Sequence, residues 1–252
     1  MDKYIIITGA TSGIGKATAI QLAEKGYHLI LTGRRKERLD QIKLDLEKFP
    51  IKVITLAFDV RDFEACQHAF SSLDEQILYN IYGLINNAGL AVGRDTIDVG
   101  ELEDWNRMID TNVKGLLHVS KLIIPYMKAN LDGHIINIAS IAGKEVYPSG
   151  NVYCASKAAV DSLSKAMRID LLPYQIKVTN IAPGAIETEF SIVRFKGNEA
   201  TAKSVYEGFH PLLPEDIAQT IEYVLGLPAH VNINDLTIMP TAQATGTIFH
   251  KK

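Results

Sequence analysis

The opening of the chain restricts the fold more than any other stretch. Lys3 to Thr8 is a short apolar run dominated by isoleucine, the pattern of a strand buried on both faces in a parallel sheet. It runs into Thr8-Gly9-Ala10-Thr11-Ser12-Gly13-Ile14-Gly15, then into a helical pattern carrying Ala17, Ile20, Leu22 and Ala23 that stops at Gly26. In a strand, glycine turn and helix of this kind, the glycines let the backbone turn tightly and approach a pyrophosphate, whose charge sits at the helix N-terminus. Three glycines at such offsets also occur in plain turns between strand and helix, so the remainder of the chain has to agree.

A second strand, Tyr27 to Thr32, leads to Gly33-Arg34-Arg35. The acid that would hydrogen-bond a ribose 2′-hydroxyl at this point is missing, and two arginines stand there instead. Guanidinium pairs well with phosphate, so the site reads as one for a 2′-phosphate, NADP rather than NAD; a basic start to a solvated helix is the plainer account. Lys52 to Phe58 forms a third strand ending at Asp59-Val60, where the carboxylate either accepts from an adenine amino group or caps the next helix.

A helix from Phe63 to Leu78 and a strand at Gly83-Leu84-Ile85 close on Asn86-Asn87-Ala88-Gly89. Alternating strands and helices imply right-handed crossovers and a doubly wound parallel sheet, with ligand at the carboxyl ends of the strands. A long helical region from Leu102 through Met127 contains Asn112 near its middle, an unfavourable residue there that invites a reason unless it is simply solvated. Strand His134 to Ala139 delivers Ser140 at its carboxyl end, where a hydroxyl is well placed to donate to a substrate oxygen.

Tyr153 and Lys157 then enter a helix four residues apart, so they share one helical face. An ammonium beside a phenol favours the phenolate, which makes this Tyr a usable acid/base. Such a pair also arises by chance on helix surfaces. The same helix is apolar on more than one stripe, and the excess suggests burial against another subunit. Strand Ile176 to Ile181 ends at Pro183-Gly184, with Thr188 beyond it. Residues 189–213 form a polar segment too long for a simple connection, the usual form of a lid. Helix Pro214 to Leu225 and strand Asp235 to Met239 follow, and residues 240–252 form a tail.

Composition excludes several classes. A net charge of −3 and pI near 6.2 give no basic field for nucleic acid. Apolar residues nowhere persist for the ~18–20 positions of a membrane span. The start, Met1-Asp2-Lys3 and then Tyr4, has neither a leader's apolar core nor a cleavage site. Cys66 and Cys154 are too few for a disulfide framework and fit a reducing compartment, so a cytoplasmic location is expected. The histidines show no metal-ligand spacing, and no metal is expected.

Taken together, TGATSGIG at Thr8 to Gly15, NNAG at Asn86 to Gly89, Asn112, Ser140, YCASK at Tyr153 to Lys157 and PGAIET at Pro183 to Thr188 resemble the short-chain dehydrogenase/reductase family over essentially the full length. The resemblance implies a single Rossmann-type domain over residues 1–252, a doubly wound parallel sheet of about seven strands flanked by helices, with the lid after the sixth strand. It implies NADP(H) as cofactor, held by Gly9, Thr11, Ser12, Gly13, Ile14, Gly15, Arg34, Arg35, Asp59, Val60, Asn87, Ala88, Gly89, Tyr153, Lys157, Pro183, Gly184, Ile186 and Thr188. Tyr153 would be the acid/base, and Lys157 would lower its pKa and hold the nicotinamide ribose. Ser140 would orient the substrate carbonyl, and Asn112 would support a proton-relay water. A homotetramer or homodimer through the Leu102–Met127 and Tyr153–Leu172 helices is expected.

Gly33-Arg34-Arg35 with Glu37-Arg38-Leu39, TEFSIVRFKGNE from Thr188 to Glu199 and LPAHVNIN from Leu227 to Asn234 are similar to a narrower group, the NADP-dependent serine and 3-hydroxy acid dehydrogenases. The implied substrate is a small 3-hydroxy acid of the serine, allo-threonine or 3-hydroxyisobutyrate type. Arg194 and Lys196 are the candidate cations for its carboxylate, with surface charge as the alternative. Ala182 and Ala242 depart from the Glu and Asn common in that group. Two rival expectations are a reductase of neutral ketones or aldehydes and a non-catalytic NADP-binding sensor or scaffold.

Overall fold

The structure, a computed structural model, describes residues 3–252. Met1 and Asp2, counted in the expected domain and in the search for a leader, lie outside the described residues. β1 (Tyr4–Ile7) is followed by α1 (Gly13–Glu24), β2 (His28–Gly33), α2 (Lys36–Leu46), β3 (Val53–Ala57), α3 (Phe63–Ser71), α4 (Glu75–Tyr79) and β4 (Ile81–Asn86). The second half runs α5 (Leu102–Ile109), α6 (Gly115–Asn130), β5 (Gly133–Ile138), α7 (Asn151–Leu171), β6 (Ile176–Pro183), α8 (Glu189–Arg194), α9 (Glu199–Ser204), α10 (Pro214–Leu225) and β7 (Asp235–Ile238).

All seven strands lie in one parallel sheet in the order β3-β2-β1-β4-β5-β6-β7. Side chains alternate across a strand, so each strand feeds two layers. Ile5 and Ile7 of β1 face a cluster with Leu22 of α1, Leu39 and Ile42 of α2, and Ile217 and Ile221 of α10. Tyr4 and Ile6 face the other, with Phe70 of α3, Val119 and Ile123 of α6, and Val160 and Met167 of α7. Near-complete burial explains the unbroken apolar run of β1 and the predominance of apolar residues in β5 and β6. The strand order reverses direction between β1 and β4, which opens a crevice at the carboxyl ends. No helix among the described residues is long and apolar enough to cross a membrane.

Two expected elements come out differently. The helix expected over Phe63 to Leu78 is two, α3 and α4, and the Ser72 hydroxyl between them turns back to the Ala69 carbonyl at 2.7 Å. The helix expected from Leu102 through Met127 is interrupted by one wider π turn at Asp110–Lys114, which separates α5 from α6. The 189–213 segment, read as a lid, carries α8 and α9. A bridge between Ile186 and Leu212 draws its ends together.

Candidate active site

The crevice floor is the glycine turn, and its shape requires glycine. Gly9 has φ +65°, and a Cβ there would lie 2.9 Å from Ala88 Cα; one on Gly15 would lie 2.4 Å from the Gly9 carbonyl oxygen. The Asn87-Ala88-Gly89 segment is stapled to this turn. Thr8 Oγ1 accepts from the backbone N–H groups of Asn87 at 3.0 Å and Ala88 at 2.9 Å, and Asn87 Nδ2 donates to the Thr8 carbonyl at 2.9 Å. Behind the turn, α1 has no acidic residue in its first turn, so its positive dipole end faces the crevice uncompensated. A turn packed too closely against Ala88 and its own backbone to admit side chains, opening onto a helix N-terminus, fits a dinucleotide diphosphate.

The two arginines after β2 have different surroundings. The Arg35 guanidinium donates to Thr11 Oγ1 at 3.1 and 2.7 Å, to Ser12 Oγ at 2.9 Å and to Glu189 at 2.9 Å. Arg34 is the freer one, its side chain 55% exposed and 3.8 Å from Asp59. Its unshared donors fit a 2′-phosphate. Both Asp59 oxygens accept from Arg61, at 2.7 to 3.1 Å. Burial alone would raise the Asp59 pKa, but Arg61 and Arg34 hold it below the usual carboxylate range. Asp59 Oδ1 also accepts from the Arg61 backbone N–H at 3.0 Å, but the residue that caps α3 is Asp62, which accepts from Ala65 N–H at 3.0 Å. Val60 lies against Gly115, where a Cβ would come 2.6 Å from its Cγ2.

Ser140, Tyr153 and Lys157 converge where β5, β6 and α7 meet. Ser140 Oγ accepts from Ala142 N–H at 3.1 Å, which fixes the hydroxyl at the strand end. Tyr153 is 8% exposed and Lys157 5%. Lys157 Nζ donates to the Ile138 carbonyl at 2.8 Å. Burial raises the Tyr153 phenol well above its ordinary value, against smaller lowering effects from Ser140 and Arg194. The net shift is upward because desolvation outweighs the lowering by Arg194 and Ser140. Burial also lowers the Lys157 ammonium to about 8.

Asn112 sits in the π turn and is buried. Its Oδ1 accepts from Leu90 N–H at 2.9 Å, and its Nδ2 donates to the Leu90 carbonyl and to Ser156 Oγ, each at 2.9 Å. The solvated reading of this residue is thereby excluded. Its side chain clamps the segment after Gly89 to α7. A Cβ on Gly89 would meet Asn112 Oδ1 at 3.2 Å and Lys157 Nζ at 3.3 Å, so this glycine keeps the clamp and the ammonium close together.

From the lid side, Thr188 caps α8 by accepting from Phe190 N–H at 3.2 Å and its methyl touches the Gly13 turn. Phe190 lies with its ring 5.6 Å from that of Tyr153. Arg194 places its guanidinium over Tyr147 and Tyr153, and its Nε is buried with no hydrogen-bond partner among the described residues. Lys196 instead pairs with Asp104 at 2.7 Å.

These parts line one cavity of about 660 Å³. Gly9, Thr11, Ser12, Gly13, Ile14, Arg34, Arg35, Asp59, Val60, Asn87, Ala88 and Gly89 line it, as do Ser140, Tyr153, Lys157, Pro183, Gly184, Ile186, Thr188 and Arg194. Gly15 and Asn112 stand behind its wall, and Lys196 lies outside. Sequence reading missed Tyr147, Phe190 and Gln243, which also line it. Gln243 reaches Ala185 N–H at 2.8 Å across 58 residues, and no local pattern announces a contact of that range.

A family model described as short chain dehydrogenase matches residues 3–199. The chain is 44% identical over 241 residues to the NADP-dependent 3-hydroxy acid dehydrogenase YdfG of Salmonella typhi, covering 95% of this chain and 96% of that protein. It is 43% identical over 245 residues to sulfoacetaldehyde reductase 2 of Chromohalobacter salexigens, covering 97% and 96%. Among solved structures, the closed form of serine dehydrogenase complexed with NADP+ matches with a TM-score of 0.93 at 40% identity, over 99% of each chain.

Proposed function

The chain belongs to the short-chain dehydrogenase family, and from that premise we propose that it is an NADP-dependent oxidoreductase interconverting a small 3-hydroxy acid, of the serine, allo-threonine or 3-hydroxyisobutyrate type, and its 3-oxo partner. The observation that carries the substrate class is Arg194, a cation inside the cavity with an unpartnered buried donor beside the ring of Tyr153. A planar guanidinium there suits a carboxylate a few bonds from the reacting carbon.

The glycine turn with α1 would hold the diphosphate of NADP(H), Arg34 its 2′-phosphate, and Lys157 its nicotinamide ribose. NADPH, when bound, supplies the hydride. Ser140 donates to the substrate carbonyl oxygen and orients it. Tyr153, a phenol and so protonated at neutral pH, gives its hydroxyl proton to that oxygen as the carbon is reduced, and takes it back in the oxidative direction. Arg194 and the charged Lys157 stabilise the phenolate left behind.

A sulfonate is a second anion for the same subsite, favoured by the similarity to the Chromohalobacter sulfoacetaldehyde reductase. NADPH absorbance followed with 3-oxo acids, sulfoacetaldehyde and size-matched neutral ketones tests the reading. Higher kcat/KM for the anionic substrates supports it, and equal values for neutral ketones overturn it.

The chain is read as a cytoplasmic homo-oligomer. Cys66 and Cys154 are both free and buried. Leu102 on α5, Leu117 on α6 and Ile169 at the end of α7 are exposed by 69%, 39% and 75%, which supports packing of these helices against a second copy. Sedimentation velocity of wild type and Ile169→Glu tests this, the variant being expected to sediment as a smaller species.

A further inference from the structure

The first residue of the lid is tied to the far end of the cavity. The Glu189 carboxylate, at the start of α8, accepts from Arg35 Nη1 at 2.9 Å and from Arg38 Nη1 at 2.7 and 3.0 Å. Arg35 spends its other donors on Thr11 and Ser12 of the glycine turn. One guanidinium thus joins the lid to the turn, across 154 residues of sequence. Nearby, Asp59 accepts from Arg61 and lies 3.8 Å from Arg34. Four guanidinium groups therefore meet two carboxylates, and the two positive charges left over match a phosphate monoester, which carries about −1.5 to −2 at neutral pH. Without that anion the arginines repel one another; with it the cluster is neutral and holds together.

We propose that Glu189 is a positioning residue that latches the lid to the 2′-phosphate end of the cofactor site, so that the phosphate distinguishing NADP from NAD also fastens the lid over the substrate. The proposal deepens the reading of Arg34 as the phosphate receptor and rests on it. The ion pairs of the latch are 41% to 48% exposed, so each is weak alone, as suits a contact that must open for substrate exchange. The geometry gives Arg194 a stake in the latch, since it is the last residue of the same short helix. Any drift of α8 away from Arg35 carries the substrate cation with it.

Limited trypsin digestion reads the latch directly, because Arg194, Lys196 and Lys203 all lie in the lid. The full chain is digested alone, with adenosine 2′,5′-bisphosphate, and with 5′-AMP, which differs only in lacking the 2′-phosphate. In wild type the bisphosphate should slow lid cleavage several-fold and 5′-AMP should not. Glu189→Gln should be cut several-fold faster than wild type without nucleotide. It should still bind the bisphosphate by calorimetry but gain no protection from it, a dissociation that a merely structural role would not produce. Arg38→Ala, whose guanidinium bonds go to Glu189, should raise the unprotected rate in the same direction. Equal cleavage of Glu189→Gln and wild type, or full protection of the variant by the bisphosphate, overturns the latch. If the bisphosphate binds wild type no more tightly than 5′-AMP, the Arg34 reading fails and the coupling to phosphate fails with it. The rates without nucleotide still judge the contact between Glu189 and Arg35 separately.

Discussion

The Arg194 guanidinium lies 5.5 Å from the centroid of the Tyr153 ring and donates to the Tyr147 hydroxyl at 2.9 Å. One cation on the lid thereby reaches both the proposed proton donor and a second, partly buried phenol. Arg194→Leu should lower kcat/KM for a 3-hydroxy acid by about 10- to 100-fold, the equivalent of the roughly 1.5–3 kcal/mol of a hydrogen bond to a charged group. A neutral alcohol of the same size should lose much less. Steady-state kinetics on the pair checks this, and equal losses would show that Arg194 only supports the tyrosines.

Tyr153→Phe should bind NADPH as wild type does and lose about three or more decades of turnover, the combined range of acid/base and positioning effects. Fluorescence titration of NADPH alongside the turnover assay separates binding from chemistry. Substantial turnover in the variant would sink the proton-donor role.

Arg34→Ala should weaken NADP binding by about 1.5–3 kcal/mol and NAD binding little, since the lost interaction is with the 2′-phosphate. Arg35→Ala should weaken both, because Arg35 anchors Thr11 and Ser12 of the glycine turn. Calorimetry with the two cofactors distinguishes the arginines. The same selectivity change in both variants contradicts the division.

Lys157→Met should unfold less readily than wild type at pH 7 while losing activity. Burial holds the Lys157 pKa near 8 against an ordinary 10.5. Below about pH 8 the folded chain carries a charge it disfavours, and that cost is present in full. Between pH 8 and 10.5 the folded side chain has lost its proton while the unfolded one keeps it, so wild-type stability rises with pH. The advantage of the methionine variant, at most about 3 kcal/mol by that shift, should therefore shrink across this window. Urea unfolding at pH 7 and pH 10 measures it, and a constant difference would refute the assignment.

Asn112→Leu should destabilise by about 2–5 kcal/mol, since it strands the buried N–H and carbonyl of Leu90 together. Thermal unfolding reads this directly. A shift no larger than that of an exposed substitution would mean that water replaces both bonds.

Much of this was legible in the sequence because it is written locally. The parallel sheet follows from apolar runs such as Ile5 to Ile7, and the turn from glycines where neighbouring atoms leave no room for a side chain. Tyr153 and Lys157 come to line one cavity through helical spacing. What was not legible depends on distance. Asn112 stood out as an odd residue in a helix, yet its reason, Leu90, lies 22 residues away. Between Arg194 and Lys196, spacing could not choose; their opposite placement follows from the turn after α8, where Lys196 has φ +51°. The upward shift of Tyr153 was not legible because burial is a property of the assembled fold.

The parallel sheet has a temporal consequence. Thr8 hydrogen-bonds Ile85 across 77 residues, and each strand meets its neighbour only after an intervening crossover, so little of the sheet can form from local contacts. Chains built on such non-local pairing fold slowly. The two ends of the cavity also come from opposite ends of the chain, the glycine turn early and the lid late. On refolding, helical signal should therefore return before NADPH binding, and the cavity should be among the last features of the molecule to exist.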